Sequence, residues 1–311
     1  MMLSLSCAAW GLSFPGGKVF MAALDHELPG RSTWLFSALT IGGRFALGAL
    51  ILWLLQPRAP WRTTASEWRQ AIGLGLTGGL GILVQADGLN HTEASTSAFL
   101  TQFSAVLIPV FLALRDRRLP PALTMFCVVL VMAGVAILGR FDWHALRLGR
   151  GEMETLASTV FFSAQILWLG RPIFRGNHLG RVTLAMFAII AIVNVPIFFG
   201  NAHAASDALT LFASGPIFAL FAGLTFFCSL VAFLMMNRWQ PHMDATTAGI
   251  VYCAEPLYAT VFALFLPGLL SAALGVGVGN ESMTPHLLIG GTLITAANVL
   301  IAWNPGEQTK L

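Results

Sequence analysis

Residues 93–114 read EASTSAFLTQFSAVLIPVFLAL, and residues 244–265 read DATTAGIVYCAEPLYATVFALF. Both open on an acid followed by Ala and two hydroxyl side chains, pass through small residues, and end in Val-Phe and aliphatic residues. The offset from Glu93 to Asp244 is 151 residues. Each stretch is long and apolar enough to cross the hydrocarbon core of a bilayer as a helix. Two related segments half a chain apart imply a duplicated architecture.

Working outward from these segments, apolar runs of about 17–25 residues recur along the whole chain. They place spans at 3–24, 33–55, 70–90, 95–114, 121–139, 152–171, 181–200, 214–236, 245–267 and 286–303. The connections carry Arg, Pro and Gly, as in QPRAPWR, LRDRRLPP and GRPIFRGNH. Five spans per half is an odd number, so the second half enters the membrane inverted, a signature of alternating-access transporters. The expected fold is therefore all-α: a polytopic membrane protein of ten transmembrane helices in two inverted five-helix repeats, residues 1–149 and 150–311.

Composition fits lipid as the solvent. Of 311 residues, 56% are hydrophobic and 10% charged, against about 25% charged in soluble domains. The net charge of +3 is thus no nucleic-acid signal; the placement of Lys and Arg matters instead. With the N-terminus inside, the inner connections hold Arg58, Arg62, Arg69, Arg115, Arg117, Arg118, Arg171, Arg175, Arg181 and Arg238, with Lys310 in the tail. The outer connections hold Arg31, Arg140, Arg147 and Arg150. This bias predicts both termini on the cytoplasmic side of a bacterial inner membrane, although RFDWHALRLGRGE (140–152), with three arginines outside, runs against it. Residues 1–24 lack a cationic leader and read as a retained first helix. Cys7, Cys127, Cys228 and Cys253 lie in apolar runs without metal-ligand or CxxC spacing and read as small buried side chains.

The order of short patterns resembles the EamA-like permeases of the drug/metabolite transporter superfamily. WGLSFPGGK (10–18) is similar to that family's opening, RFALGALILWLL (44–55) to its second helix, and VQADGLNHTEASTSAFLTQFSAVLIPVF (84–111) to its third and fourth. GEMETLASTVFFSAQILWLGR (151–171) and ATTAGIVYCAEPLYATVFAL (245–264) continue the series. The resemblance covers essentially the whole chain and implies ten helices around a central cavity. Two departures stand out: RDRRLPP (115–121) lacks the family's Gly-Glu turn, and LPGLLSAALGVGVGNESMTPH (266–286) is unusually Gly-rich.

Ionisable groups inside spans are costly, about 2.5–3.5 kcal/mol each on insertion scales, and face a cavity or a partner. Glu255, before Pro256 in the middle of span 9, is a candidate proton carrier, since a carboxyl shielded from water can cycle a proton; alternatively it bonds two helices together. Lys18 either meets a substrate carboxylate or snorkels to the interface. Arg44 reads as structural pairing, and Asp87 as an acid that reaches water near the outer end of span 3. The neutral candidates are Gln85, Thr101, Gln102 and Gln165, with Trp10, Trp168 and Tyr252 as aromatic walls. The expected substrate site is thus Trp10, Lys18, Gln85, Thr101, Gln102, Gln165, Trp168, Tyr252 and Glu255, in a central cavity between the repeats.

No Walker loop, HExxH, plausible GxSxG or paired carboxylates are present, and GLGLTGGLG (73–81) reads as a helix-packing surface, not a phosphate loop. The expected function is a secondary transporter, in the exporting direction, for small organic solutes such as amino acids or related metabolites. Its partners are the solute, membrane lipid and protons as coupling ion, with no cofactor, metal or nucleic acid and no enzymatic role. The alternative reading is an intramembrane enzyme or lipid-carrier protein.

Overall fold

The computed structural model describes residues 2–92, 94–117, 119–138, 149–283 and 285–303. The expectations attached to Glu93, Arg118, Arg140, Arg147 and Lys310 fall outside these residues. Among the described residues the chain is all-helical, with no strand.

Helix α1 runs over Met2–Glu27, α2 over Thr33–Leu55, α3 over the single turn Ala59–Arg62, and α4 over Ala65–Leu89. Then follow α5 (Ala94–Thr101), α6 (Ser104–Asp116), α7 (Ala122–Leu138), α8 (Arg150–Leu169) and α9 (Leu179–Asn201). A π-helical segment, Thr225–Val231, joins α10 (Gly215–Leu224) to α11 (Ala232–Trp239). The chain ends with α12 (Ala245–Tyr252), α13 (Glu255–Ala263), α14 (Leu266–Leu274) and α15 (Pro285–Trp303). Among the described residues each expected span is largely helical, with breaks at 102–103 in the fourth and at 253–254 and 264–265 in the ninth. Among the described residues, four helical stretches are long and apolar enough to cross a membrane: Thr33–Leu55, Ala65–Leu89, Leu179–Asn201 and Gly215–His242. The run through α12, α13 and α14, bent by 56°, makes a fifth if it is one span.

The helix starts follow from local chemistry. Thr64 and Glu67 form a reciprocal capping box that satisfies two backbone donors at the start of α4. Asp244 caps α12 through Thr247 N at 2.9 Å, and Ser32 caps α2 through Trp34 N at 3.3 Å. In the bundle α2 lies along α9, α4 against both α8 and α9, α7 against α15, and α1 against α11 and α13. The glycines of α4 make its contact with α8 close. A Cβ at Gly73 would sit 2.1 Å from Trp168 Nε1, at Gly78 2.3 Å from Gln165 Nε2, and at Gly81 2.8 Å from Phe162. Small residues of this kind let helix backbones approach where lipid supplies no hydrophobic driving force.

A buried carboxylate is tied down at each end of α4. At its start, Glu67 accepts from Arg181 Nη2 (2.6 Å) and Nε (3.1 Å), from His178 N (2.9 Å) and from Thr64 N (2.7 Å). At its far end, Asp87 is fully buried and pairs with Arg150, which also holds Glu154 at 2.8 Å. Asp87 therefore does not reach water as the sequence reading held; a cation from α8, 63 positions on, covers it. Cys7, Cys127, Cys228 and Cys253 are free and buried. The Gly-rich segment after α14 folds back: Glu281 N donates to Ala263 O at 2.8 Å, and Asn280 Oδ1 accepts from Gly268 N at 2.6 Å.

Candidate solute site

Two helices are interrupted by short turns, and the interruptions correspond. The stretch α5–α6 opens at Gln102–Phe103, and α12–α13 opens at Cys253–Ala254. The limits of α5 and α12, and the starts of α6 and α13, are each 151 residues apart, the offset read between the two sequence segments. At both breaks the backbone tightens into three-residue turns. Phe103 N donates to Leu100 O and Ala105 N to Gln102 O, while Cys253 N donates to Ile250 O and Ala254 N to Val251 O. Irregular backbone at such depth is tolerated only where protein or a water-filled cavity surrounds it.

Both breaks border one central cavity. It leaves about 130 Å³ for the centres of water molecules, where about 10–15 Å³ suffices for one. It therefore has room for several waters or a small solute. Seven of the nine residues picked from the sequence line it: Trp10, Gln85, Thr101, Gln102, Gln165, Tyr252 and Glu255.

Their roles differ. Gln85 Nε2 donates to Thr101 Oγ1 at 2.8 Å, and Thr101 donates on to Ser97 O at 2.8 Å, so this pair is occupied in holding α4 to α5. Tyr252 donates to Gln240 Oε1 at 2.8 Å, and Gln240 Nε2 donates to Ile166 O at 2.8 Å. The tyrosine ring meets Trp10 edge to face, with centroids 5.5 Å apart, and Phe233 closes on Trp10 at 5.3 Å. These contacts make a rigid aromatic wall. By contrast, Gln102 Nε2, Gln165 Nε2 and Thr40 Oγ1 are buried with no hydrogen-bond partner in the protein. An unsatisfied buried group of this kind costs about 1–3 kcal/mol, so three on residues that line one cavity mark groups kept for something other than stability.

Two charges of opposite sign face the same space. Glu255 begins α13 and has no hydrogen bond or ion pair among the described residues. Arg44, on α2, is 6% exposed and uses Nε to donate to Ser229 Oγ at 3.2 Å. Ser229 belongs to the π-helical segment, whose neighbouring Cys228 also lines the cavity. Single π turns recur at functional sites because they re-aim side chains within a helix.

The sequence reading left Arg44 out of the site: it lines the same cavity as Glu255, and its bond to Ser229 fits the structural pairing that reading gave it, with no ion pair between Arg44 and Glu255 among the described residues. The available signal was its charge in the middle of an apolar run. Thr40, one turn earlier on α2, was also missed, and a lone Thr in a hydrophobic helix carries no signal. Two residues do not join the site. Lys18 is half-buried on α1 outside the cavity lining. Trp168 lies towards the end of α8, donating to Gln70 O at 3.3 Å and carrying Arg171 over its ring at 4.7 Å, so it is committed to packing. Among the described residues, no three His, Cys, Asp or Glu side chains are grouped to hold a metal ion.

Residues 1–140 match the sequence profile of the EamA-like transporter family, bearing out the resemblance read from the sequence motifs. A protein of Archaeoglobus fulgidus described as an "uncharacterized transporter" is 24% identical over 305 residues, covering 96% of this chain and 84% of that protein. The "uncharacterized transporter YcbK" of Bacillus subtilis is 22% identical over 282 residues, covering 85% and 89% respectively. A crystal structure superposes with a TM-score of 0.62 at 17% identity, covering 94% of this chain and 96% of that one; it bears on the fold alone.

Proposed function

Taking the chain as the EamA-like transporter that its first 140 residues match, we propose that it is a secondary transporter of small zwitterionic metabolites such as amino acids. It moves them outward across a bacterial inner membrane by alternating access around the central cavity. The observation that carries this reading is the pair of helix breaks at a 151-residue offset, both bordering that cavity. Interrupted helices at corresponding positions of two inverted halves are where secondary transporters build their sites.

The helix pairing supports the two repeats, 1–149 and 150–311, each of five spans. Exchanging the halves maps the α2–α9 pair onto itself and the α7–α15 pair onto itself, and it exchanges α4–α8 with the packing of α10 and α11 on α1. The charge bias among the connections supports both termini on the cytoplasmic side. Cysteine introduced at Pro120 should label from the cytoplasm and at Ala205 from the outside; the opposite pattern contradicts the orientation.

The cavity's chemistry supports the solute class. Arg44 receives a carboxylate, Glu255 an ammonium group, and the amides of Gln102 and Gln165 supply hydrogen bonds. Trp10 and Tyr252 form an apolar wall for a side chain. Glu255 also serves as the proton carrier: it gives up its proton to receive the ammonium group and takes one up after the solute leaves. A thermal-shift screen of purified protein against amino acids, sugars, nucleosides and cationic drugs, followed by flux of any hit into proteoliposomes, tests the class. Stabilisation by amino acids with matching flux is expected; stabilisation by sugars or nucleosides alone contradicts it. Glu255→Gln should abolish flux driven by a pH gradient and retain solute exchange, whereas unchanged gradient-driven flux removes Glu255 as the carrier.

A further inference from the structure

Away from the central cavity, a second hollow of about 420 Å³ opens where α2 ends, α3 turns and α9 begins. Gln56, Arg58, Arg62, His178 and Arg181 line it. Its floor is fixed: the Gln56 amide packs where a Cβ at Gly180 would lie, 2.6 Å from Nε2. Its charge is not balanced. The nearby acid, Glu67, has both oxygens engaged by Arg181, His178 N and Thr64 N. Arg58 and Arg62 are exposed, and neither has an ion pair among the described residues.

Exposed apolar residues adjoin the hollow's lining residues in the chain. Leu54 is 64% exposed, Leu55 72% and Trp61 90%, and Trp53 and Trp68 are also exposed. Tryptophans at this level of a membrane helix sit among lipid headgroups. Exposed, uncompensated arginines next to bare leucines and tryptophans therefore meet the boundary where phosphate gives way to acyl chain.

We propose that this hollow binds the phosphate headgroup of an anionic phospholipid, with its acyl chains lying against Leu54, Leu55 and Trp61. Guanidinium groups fit phosphate oxygens in a bidentate fork, and basic pockets between helix ends are suited to anionic headgroups. The shared chemistry is a phosphate anion; the exposed Leu54, Leu55 and Trp61 next to the lining in the chain favour a lipid over a free ion as its source.

The test uses the full chain in neutral detergent, with native mass spectrometry reading bound lipid. Phosphatidylglycerol should bind at least about tenfold more tightly than phosphatidylcholine. The double variant Arg58→Ala/Arg62→Ala should lose about tenfold in that affinity, and Arg58→Lys/Arg62→Lys should recover part of it. Inorganic phosphate at about 10 mM should leave bound lipid in place. Equal binding of the two lipids, or unchanged affinity in the alanine pair, overturns the site. Displacement of lipid by inorganic phosphate makes it a free-anion site and overturns the lipid source. Should the alanine pair not fold, Arg62→Ala alone gives the same reading, with a loss expected and no change contradicting it.

Discussion

Two carboxylates, Glu67 and Glu255, lie inside the helix bundle and differ in every respect that matters. Glu67 holds four hydrogen bonds from a side chain and two backbone amides and joins α4 to α9. Glu255 holds none among the described residues and borders a cavity with Arg44 and two amides that lack partners. The same contrast separates Gln70, whose Oε1 accepts from Asn177 at 2.8 Å, from Gln102 and Gln165. Glu67 and Gln70, which hold helices together, are satisfied by the bundle; Glu255 and the amide nitrogens of Gln102 and Gln165, at the cavity, have no partner among the described residues. Such inconsistency with good packing is expected where function is built.

Mutations can break this contrast. The largest effect is expected from Glu67→Ala. It strands Arg181 beside the helix ends, and breaking a buried pair costs about 3–5 kcal/mol. Arg181 is 25% exposed, which places the loss near the lower end, about 3 kcal/mol. Thermal unfolding in detergent checks it, and a loss under about 1 kcal/mol would mean the cluster is ornamental to stability. Gln165→Leu should do the reverse. Replacing an unpartnered buried amide by an apolar side chain of similar size is nearly neutral or stabilising, by up to about 1 kcal/mol. Clear destabilisation there would show that Gln165 is structural after all. The smallest effect belongs to Lys18→Gln, which lies outside the cavity and should leave solute affinity within about twofold; a larger loss would return Lys18 to the site.

Much of the helix placement was legible, because apolar runs and the charged, Pro-rich breaks between them follow from the cost of exposing backbone and charge to lipid. The start of α12 was legible as well, since Asp244 and Thr247 make a local cap. The α5–α6 break was not: Gln102 and Phe103 are ordinary helix residues, and the tightened turn is imposed by surroundings. The partner of Asp87 was invisible for a related reason. Arg150 is distant in the chain, and only the packing of α4 on α8 brings it near. Trp168 failed in the opposite sense, since an aromatic in a span looks the same whether it faces a cavity or covers Gly73. Arg44 was visible as a charge, and its partner Ser229 depends on the π turn, which no periodicity in TFFCSLV announces.

The most direct measurement compares the equilibrium affinity of the first solute identified by thermal shift in three proteins: the parent chain, Gln102→Leu, and Asn177→Leu. The first variant removes an unpartnered amide from the central cavity, and the second removes a satisfied one from the Gln70 contact. With solute bound at the centre, Gln102→Leu should weaken binding by about tenfold, the worth of one hydrogen bond of about 1.4 kcal/mol, and Asn177→Leu should leave it within about twofold. Equal affinities in all three, or a loss confined to Asn177→Leu, would contradict a central site.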